Sequence, residues 1–220
     1  MNKLLLTLSS LLVTTLTAVS VQAQEIKGDA KAGETKIAMC IGCHGIPGYQ
    51  ASFPEVYKVP KISGQNAKYI VSSLNAYKQG ERKHPSMRGI SQSLTDQDMA
   101  DLAAYYEQHG KTDVAAEAKI PEAPTKVAEL LKKGACASCH GESFNKPVSD
   151  GYPKVAGQHA DYVYVALKSY KTEGNATWGR ANGIMGGIAK QFSNAELKQI
   201  AGYVSTMPGD VKTVPQSRFR

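Results

Sequence analysis

The pentad Cys40-Ile41-Gly42-Cys43-His44 and its counterpart Cys136-Ala137-Ser138-Cys139-His140 decide how this chain folds, and together they use all four of its cysteines. Two thiols three positions apart can add to the two vinyl groups of one porphyrin, and the histidine that follows can bind the iron. Each pentad therefore predicts one covalent c-type haem. The attachment residues would be Cys40 and Cys43 for one haem and Cys136 and Cys139 for the other, with His44 and His140 as proximal ligands.

A C-x-x-C pair on its own is also typical of thioredoxin-like redox dithiols and of half a zinc site. Neither alternative explains a histidine directly after both pairs. A thioredoxin-like motif should follow a strand, whereas the residues before each pentad do not alternate as a strand does. A disulfide between cysteines so close together would be strained. Haem attachment is the interpretation that uses all of these residues.

The first 23 residues predict a secretory signal peptide. Lys3 supplies the positive end, an apolar stretch follows, and Val21-Gln22-Ala23 is a small-residue cleavage site. We therefore expect a periplasmic protein that is cleaved after Ala23. An uncleaved anchor is the alternative, since the apolar stretch approaches the length of a membrane span. No later segment is apolar enough to span a bilayer, and a loose membrane association stays open.

The chain is basic, with a formal net charge of +7. Loss of residues 1–23 would remove only one charged residue, Lys3, but each haem would add two propionate carboxylates. The loaded protein is then far less basic than its sequence, so the charge gives no reason to expect nucleic-acid binding.

The two halves of the chain repeat each other well beyond the pentads, which lie 96 residues apart. The block Pro60-Lys61-Ile62-Ser63-Gly64-Gln65 matches Pro153-Lys154-Val155-Ala156-Gly157-Gln158 at an offset of 93. Further along, the offset becomes 98, and Thr95-Asp96-Gln97-Asp98 matches Ser193-Asn194-Ala195-Glu196. Two tandem copies of one domain explain this pattern.

The residues between the copies carry scattered charges and two prolines but no sustained apolar face, which is typical of a linker. We expect a signal peptide at 1–23, a first domain at 24–109, a linker at 110–125 and a second domain at 126–220. Each domain is small for a self-sufficient core, but a porphyrin wrapped inside it would add apolar surface.

Each domain is predicted to be all-α, with three helices and essentially no strand. The first helix spans about 30–39 and, in the second copy, about 125–135. The middle helix spans roughly 66–79, with Ile70, Leu74 and Tyr77 on one face. The last helix begins at Thr95 or Ser193, where an acid three residues later predicts a capping box. Its expected buried face is Met99, Leu102, Ala103 and Tyr106, matched by Leu197, Ile200, Ala201 and Val204.

A second axial ligand should recur between the copies, because the two sites repeat each other. Only Met87 and Met185 are methionines related by the local offset of 98. Met39, Met99 and Met207 map onto other residue types, so we expect them to be packing residues. His84 and His159 are rivals without a histidine at the matching position. Glycines and a proline surround Met87 and Met185, so both are expected on loops before the last helix.

Ligation by His and Met would occupy both axial positions of each iron. A thioether favours ferrous iron and raises the reduction potential. With no position open for peroxide, oxygen or another substrate, the expected activity is outer-sphere electron transfer and not catalysis.

The chain resembles the cytochrome c4 family of dihaem class I cytochromes c. The likeness covers essentially the whole mature chain and rests on the twin C-x-x-C-H-G segments, the Pro-Lys-x-x-Gly-Gln blocks, the methionine segments and Leu102-Ala103-Ala104-Tyr105-Tyr106. It implies two cytochrome c domains related by pseudo-twofold symmetry, with propionate edges near their interface. It also implies that His44 and Met87 bind one iron and His140 and Met185 the other.

The resemblance further implies that the protein carries electrons from quinol-oxidising complexes to terminal oxidases or other reductases. Two other functions stay open: an electron-transfer subunit of a larger redox complex such as a flavocytochrome, and a dihaem peroxidase-type enzyme. Lysines near the second pentad could dock an acidic redox partner, or they could form an ordinary solvated helix face. These are Lys132, Lys133 and Lys146.

Overall fold

The computed structural model describes residues 26–111 and 119–215. The predicted signal peptide with its cleavage site, and the middle of the predicted linker, lie outside these residues. We call residues 26–111 the first half and residues 119–215 the second half. Within these two ranges no helix combines the length and the hydropathy needed to cross a membrane.

The described part of each half contains five helices, so the predicted all-α class is confirmed, although with shorter and more numerous helices than the three expected. The first half has α1 Ala30–Glu34, α2 Ala38–His44, α3 Ala67–Gln79, α4 Pro85–Gln92 and α5 Asp96–Gln108. The second half has α6 Thr125–Lys133, α7 Ala137–His140, α8 Ala160–Ser169, α9 Gly183–Ala189 and α10 Asn194–Thr206. Two short antiparallel ladders join β1 Gln50–Ala51 to β2 Tyr57–Lys58, and β3 Arg82–Lys83 to β4 Gly179–Arg180.

The prediction of one continuous helix before the first pentad is wrong, whereas α6 agrees with the helix expected before the second pentad to within two residues. In the first half, α1 ends at Glu34 and a turn separates it from α2. The hydroxyl of Thr35 donates to the carbonyl of Ala32 at 2.7 Å, which satisfies a carbonyl at the end of α1. In the second half, Ala135 has a φ of 47°, which a right-handed helix cannot accommodate. Each break lets the pentad leave the axis of the preceding helix.

The last helix of each half forms as predicted. Thr95 and Ser193 each accept a hydrogen bond from the backbone of the residue at N3, whose acidic side chain accepts one in return from the N-cap backbone. The predicted inward faces of α5 and α10 are buried throughout. These faces anchor the two apolar clusters, one in each half, which include Cys40 and Cys136 at their edges.

The two halves are joined by a reciprocal set of hydrogen bonds between their repeated Pro-Lys-x-x-Gly-Gln blocks. The backbone N–H of Lys61 donates to Oε1 of Gln158 at 3.0 Å, and Nε2 of Gln158 donates to the carbonyl of Lys61 at 2.9 Å. Gln65 makes the same pair with the backbone of Lys154, with both bonds at 2.9 Å. Both glutamines are buried, so each half supplies the partners that the other half requires.

The chain that follows α10 also returns to the first half. Lys212 and Ser63 exchange backbone hydrogen bonds of 2.9 and 3.3 Å. Lys154 of the second half connects this segment to the first half, because its ammonium group lies 3.2 Å from the carboxylate of Asp210 and donates to the carbonyl of Gly64 at 2.9 Å. Gly64 has a φ of 83°, and a Cβ on it would lie 2.5 Å from the carbonyl oxygen of Asp210. A glycine is therefore required where this segment crosses the interface.

We expect the double substitution of Gln65 and Gln158 by alanine to weaken the interface strongly. Each change removes three hydrogen bonds, two to the backbone of a lysine in the other half and one from the backbone N–H of the next residue. The N–H and carbonyl of that lysine lose their partners, which costs about 1 to 3 kcal/mol for each buried group. The measurement is urea unfolding of the loaded protein followed by far-ultraviolet circular dichroism. The expected result is a lower unfolding midpoint, with the two halves unfolding in separate transitions.

The matched control is Gln79→Ala, because Gln79 is an exposed residue at the end of α3. This change should alter the free energy of unfolding by less than about 0.5 kcal/mol. Equal effects of the interface variant and of the control would contradict a stabilising role for the reciprocal bonds.

Candidate haem-binding sites

The first pentad lies at the end of α2, where Cys40, Cys43 and His44 are spaced i, i+3 and i+4 and share one helix face. The second pentad has the same arrangement. Cys136 has helical φ and ψ as the N-cap of α7, and the N–H of His140 donates to its carbonyl at 3.1 Å. One turn of helix therefore presents two sulfurs and an imidazole to the same side in each half.

The first cysteine of each pentad does not have the character of a redox-active thiol. Burial raises the pKa of Cys40 to about 11 and also raises the pKa of Cys136. Thioredoxin-like motifs depend on a lowered thiol pKa, because the thiolate is the reactive form. Covalent attachment to a porphyrin is compatible with buried, apolar surroundings.

The two pentad histidines, His44 and His140, are held in one orientation by the interface blocks. Nδ1 of His44 lies 2.8 Å from the carbonyl oxygen of Pro60, and Nδ1 of His140 lies 3.0 Å from that of Pro153. A carbonyl only accepts, so each Nδ1 carries the proton and each Nε2 keeps a lone pair for a metal. Burial lowers the pKa of both imidazoles, although the bonds to the carbonyls act in the opposite direction. Neutral imidazole with a free Nε2 is the form that binds haem iron.

The expectation that Met87 and Met185 lie on loops is wrong, because both lie in the first turn of short helices, α4 and α9. The residue three positions before each methionine caps its helix. Nδ1 of His84 accepts from the N–H of Met87 at 3.4 Å, and Oδ1 of Asn182 accepts from the N–H of Met185 at 2.9 Å. Pro85 at the start of α4 and Asn182 before α9 are sequence signals for these helices.

The other histidines and methionines considered as iron ligands lie in places that differ from those of Met87 and Met185. His84 is the N-cap of α4, and His159 occupies the same position before α8. Met99 and Met207 are buried, as expected of packing residues, whereas Met39 is 49% exposed. Met87 and Met185 are both half-buried and start equivalent helices, so the symmetry of the two sites extends to them.

The residues of each site fit a haem, because they combine two half-buried thiols, a neutral imidazole with one free nitrogen, and a thioether on a separate short helix. In the first half the segment before Met87 lies near His44, since the positive charge of Arg82 contributes to lowering the pKa of His44. A separate cavity of about 540 Å³ lies beside α9 and is lined by residues of both halves, among them Lys83, Trp178 and Arg180.

Comparison with known proteins agrees with this geometry. A family model described as Cytochrome c matches residues 30–109 and 125–208. The cytochrome c4 of Pseudomonas aeruginosa is 35% identical over 210 residues, which cover 93% of this chain and 98% of that protein. The chain belongs to the cytochrome c4 family. The crystal structure of reduced recombinant cytochrome c4 from Pseudomonas stutzeri, 28% identical, matches with a TM-score of 0.61 over 82% of this chain and 99% of that chain.

A second kind of relative is also similar over most of the chain. A protein of Stutzerimonas stutzeri named thiosulfate dehydrogenase electron acceptor is 30% identical over 200 residues, which cover 86% of this chain and 90% of that protein. Membership of the cytochrome c4 family, together with two family domains and two cysteine motifs, shows a dihaem electron carrier with two covalent haem c groups. The predicted cofactors are confirmed.

Sequence analysis did not identify three features of the two candidate haem sites. These are the carbonyls of Pro60 and Pro153 that orient the histidines, the caps at His84 and Asn182, and a pair of arginines, Arg82 and Arg180, five residues before each methionine. The arginines and the caps recur at the same offset of 98 as the methionines, so the repeat comparison could have found them.

Proposed function

We propose that this protein is a periplasmic shuttle that takes electrons from a quinol-oxidising complex and passes them to a terminal oxidase or another reductase. Each haem is attached through the two cysteines of one pentad. His44 and Met87 would bind the haem iron in the first half, and His140 and Met185 would bind it in the second. The observation that supports this proposal is the equivalence of the two sites, each with an oriented neutral imidazole and a methionine at a capped helix start.

A bound haem supplies a one-electron couple between ferrous and ferric iron. The chain holds the side chains that would bind the iron in fixed positions. The Pro60 and Pro153 carbonyls keep each imidazole in one tautomer, and the caps of α4 and α9 keep each methionine at the start of a fixed helix. A thioether ligand would raise the reduction potential of the haem, and a histidine together with a methionine would leave the iron no position for a substrate. Rigid ligands on both sides suit electron transfer and not catalysis.

Docking to acidic partners is assigned to lysines around the second pentad. Lys132 and Lys133 are exposed in the last turn of α6, a few residues before Cys136, and Lys146 is exposed after the pentad. Lys133 is held in place, because its ammonium group donates to the carbonyl of Gln191 at 2.9 Å and lies 4.9 Å from the centroid of the Phe192 ring. Charges at the rim of an interface mainly accelerate association, so their effect should depend on salt.

The proposed shuttle function is tested with membranes from the source organism. These membranes are washed with salt so that they lose their soluble cytochromes. Adding the loaded protein should restore quinol-dependent oxygen uptake in proportion to its concentration. At higher ionic strength the rate should fall, since the Debye length shortens from about 10 Å at 0.1 M to about 3 Å at 1 M. No restoration at any concentration would overturn the quinol-to-oxidase assignment.

The docking lysines are tested in the same assay by the double substitution of Lys132 and Lys146 by glutamate. We expect at least about a tenfold fall in the second-order rate at low salt, and a much smaller fall at high salt. The matched control is Lys126→Glu, an exposed charge at the other end of α6, about 9 Å from Lys132 along the helix. A control as slow as the double variant would show that net charge, and not this patch, sets the rate.

The second candidate is an electron acceptor for a thiosulfate-oxidising enzyme, which the similarity to the Stutzerimonas stutzeri protein favours. The same membrane assay separates the two functions when thiosulfate replaces quinol as the reductant. Reduction of the protein by thiosulfate with cell extract, and not by quinol with membranes, would favour the second candidate. A flavoprotein that co-purifies with the protein would instead indicate a subunit of a larger complex.

A further inference from the structure

Three buried hydroxyl groups have no hydrogen-bond partner in the part of the chain that the structure describes, and all three lie in the first half. They belong to Ser73, Ser91 and Tyr106. The matching residues of the second half carry no hydroxyl group: they are Ala166, Ala189 and Val204. A buried hydroxyl without a partner costs free energy, so each such group needs an explanation, and a redox role is one of them.

Tyr106 is the hydroxyl-bearing residue that lies beside a haem-attachment cysteine. It is on the inward face of α5, is 4% exposed, and belongs to the same apolar cluster as Cys40. Its ring meets the ring of Tyr105 edge-on, with 5.1 Å between the centroids. Its carbonyl accepts a hydrogen bond of 2.7 Å from the N–H of Gly64. The backbone and the ring of Tyr106 are therefore held in place, and with them the hydroxyl oxygen.

The hydroxyl of Tyr106 and the sulfur of Cys40 act on each other, although they do not complete a hydrogen bond. Burial raises the pKa of both groups, to about 11 for Cys40. The hydroxyl acts against burial at Cys40 and lowers the pKa of the thiol, as a donor to the sulfur does. Burial also raises the pKa of Cys136, but there a backbone group, and not a hydroxyl, acts against burial.

Attachment of the haem changes what the sulfur of Cys40 can do. A thiol can donate or accept a hydrogen bond, but after addition to a vinyl group the sulfur is a thioether, which only accepts. The hydroxyl of Tyr106 is then the donor. A thioether is a weak acceptor, but a buried hydroxyl loses more by having no partner at all. Val204, at the matching position of the second half, is buried and has no group that can donate.

We infer that, in the protein with its haems attached, Tyr106 donates a hydrogen bond to the thioether sulfur of Cys40 and raises the reduction potential of the haem in the first half. The second half lacks this contribution. The two haems therefore differ in potential for a reason other than their iron ligands, which are proposed to be the same. The inference requires attachment at Cys40 but does not depend on the proposed redox partners.

The sign follows from the direction of the hydroxyl dipole. A donating hydroxyl turns its positive end towards the sulfur, which is bonded to the porphyrin. Reduction of ferric to ferrous haem removes one positive charge, so a positive dipole end nearby favours the reduced state. Such a dipole acts strongly in a buried cluster, where water does not screen it. Hydrogen bonds from surrounding residues are one of the means by which a protein sets the potential of a haem.

The test is a spectroelectrochemical titration of Tyr106→Phe, after a pyridine haemochrome assay has shown two haems for each chain. This change removes the hydroxyl and keeps the ring. At a fixed electrode potential, the ratio of oxidised to reduced haem should rise at least about twofold for one haem, which is about 18 mV at about 59 mV for each tenfold change. The other haem should change by less than half as much. A potential that stays the same or rises, or equal shifts of both haems, would overturn the inference.

The matched control is Tyr203→Phe, which removes the same group from the last helix of the second half. The hydroxyl of Tyr203 is exposed and donates to the carbonyl of Pro121 in the linker at 2.9 Å. Its loss should leave both potentials unchanged. A control that lowers a potential as much as Tyr106→Phe would overturn the specific role of Tyr106.

Urea unfolding separates a bonded hydroxyl from one that stays without a partner. If Tyr106 donates to the thioether, Tyr106→Phe removes a hydrogen bond and should lower the unfolding midpoint. If the hydroxyl has no partner once the haem is attached, the same change removes an uncompensated buried group and raises the midpoint. A raised midpoint would overturn the inference.

A measurement on the unchanged protein does not depend on the folding of any variant. Resonance Raman spectroscopy records the carbon–sulfur stretching of the thioether bonds, which responds to a hydrogen bond at the sulfur. Exchange of the hydroxyl proton in D₂O should shift one component of this band in the wild type, and Tyr106→Phe should show no such shift. A wild-type band that is the same in D₂O and in water would overturn the inference. None of these readouts involves a quinol or an oxidase, so they are independent of the test of the proposed shuttle.

Discussion

Replacing Met185 by alanine is expected to remove about half of the near-infrared methionine-to-iron band of the oxidised protein, because one of two equivalent thioethers is lost. The potential of one haem should fall by more than about 59 mV, the one-electron equivalent of a tenfold change. The other haem should keep its band and, to a first approximation, its potential. Met87→Ala should have the same effects on the haem of the first half. Near-infrared absorption and a redox titration are the measurements.

Carbon monoxide gives an independent readout of the same change. The reduced wild-type protein should not bind it, since both axial positions are occupied, whereas each methionine variant should bind one molecule per chain. The control is Met207→Leu, which keeps the size of a buried side chain without a methionine counterpart in the first half. Carbon monoxide binding by the wild type, or an intact band in either alanine variant, would contradict the proposed ligands.

Gly33→Ala is expected to destabilise the first half by about 3 kcal/mol, the upper part of the range for overpacked cores. Gly33 is buried in α1 where this helix crosses α5, and a Cβ would lie 2.1 Å from the carbonyl oxygen of Asp101. The obstacle is backbone and not the end of a flexible side chain, so α1 would have to move away from α5. Urea unfolding of the loaded protein, followed by far-ultraviolet circular dichroism, measures the change.

Gly202→Ala is the matched control, because Gly202 lies within α10 and a Cβ on it would meet nothing within 4 Å. At the matching position the first half already has an alanine, Ala104. Removing a glycine from an open helix position should stabilise the protein by about 0.5 to 1 kcal/mol. Opposite signs for the two substitutions are therefore expected. Stabilisation by Gly33→Ala would show that α1 and α5 are not in the close contact described above.

Local sequence signals were reliable where neighbouring residues supply the partners. The capping boxes at Thr95 and Ser193 form as expected, because the side chains and the backbone groups that they bind lie within one turn. The methionine segments were assigned to loops because glycines and a proline were taken as helix breakers. Pro85 instead stands at the start of α4, where a missing N–H costs nothing, and Asn182 caps α9.

Residues whose partners lie in the other half could be recognised as repeated but not understood. Gln65 and Gln158 are identical residues in matching blocks, and nothing in the sequence shows that each is bonded to the backbone of the other block. Arg82 and Arg180 were likewise visible as a repeat without a role. Only the packing of the two halves against each other places these arginines opposite each other in one ladder.

The sequence by itself determined the number of haems, their attachment residues as predicted, the tandem organisation and the faces of the last helices. Each of these depends on spacing along the chain, which covalent geometry and helical periodicity convert directly into structure. Tertiary structure alone decided the tautomer of the pentad histidines, the reciprocal interface and the position of the two arginines. Those features depend on contacts between residues about 90 to 100 positions apart, and such contacts arise only when the two halves pack together.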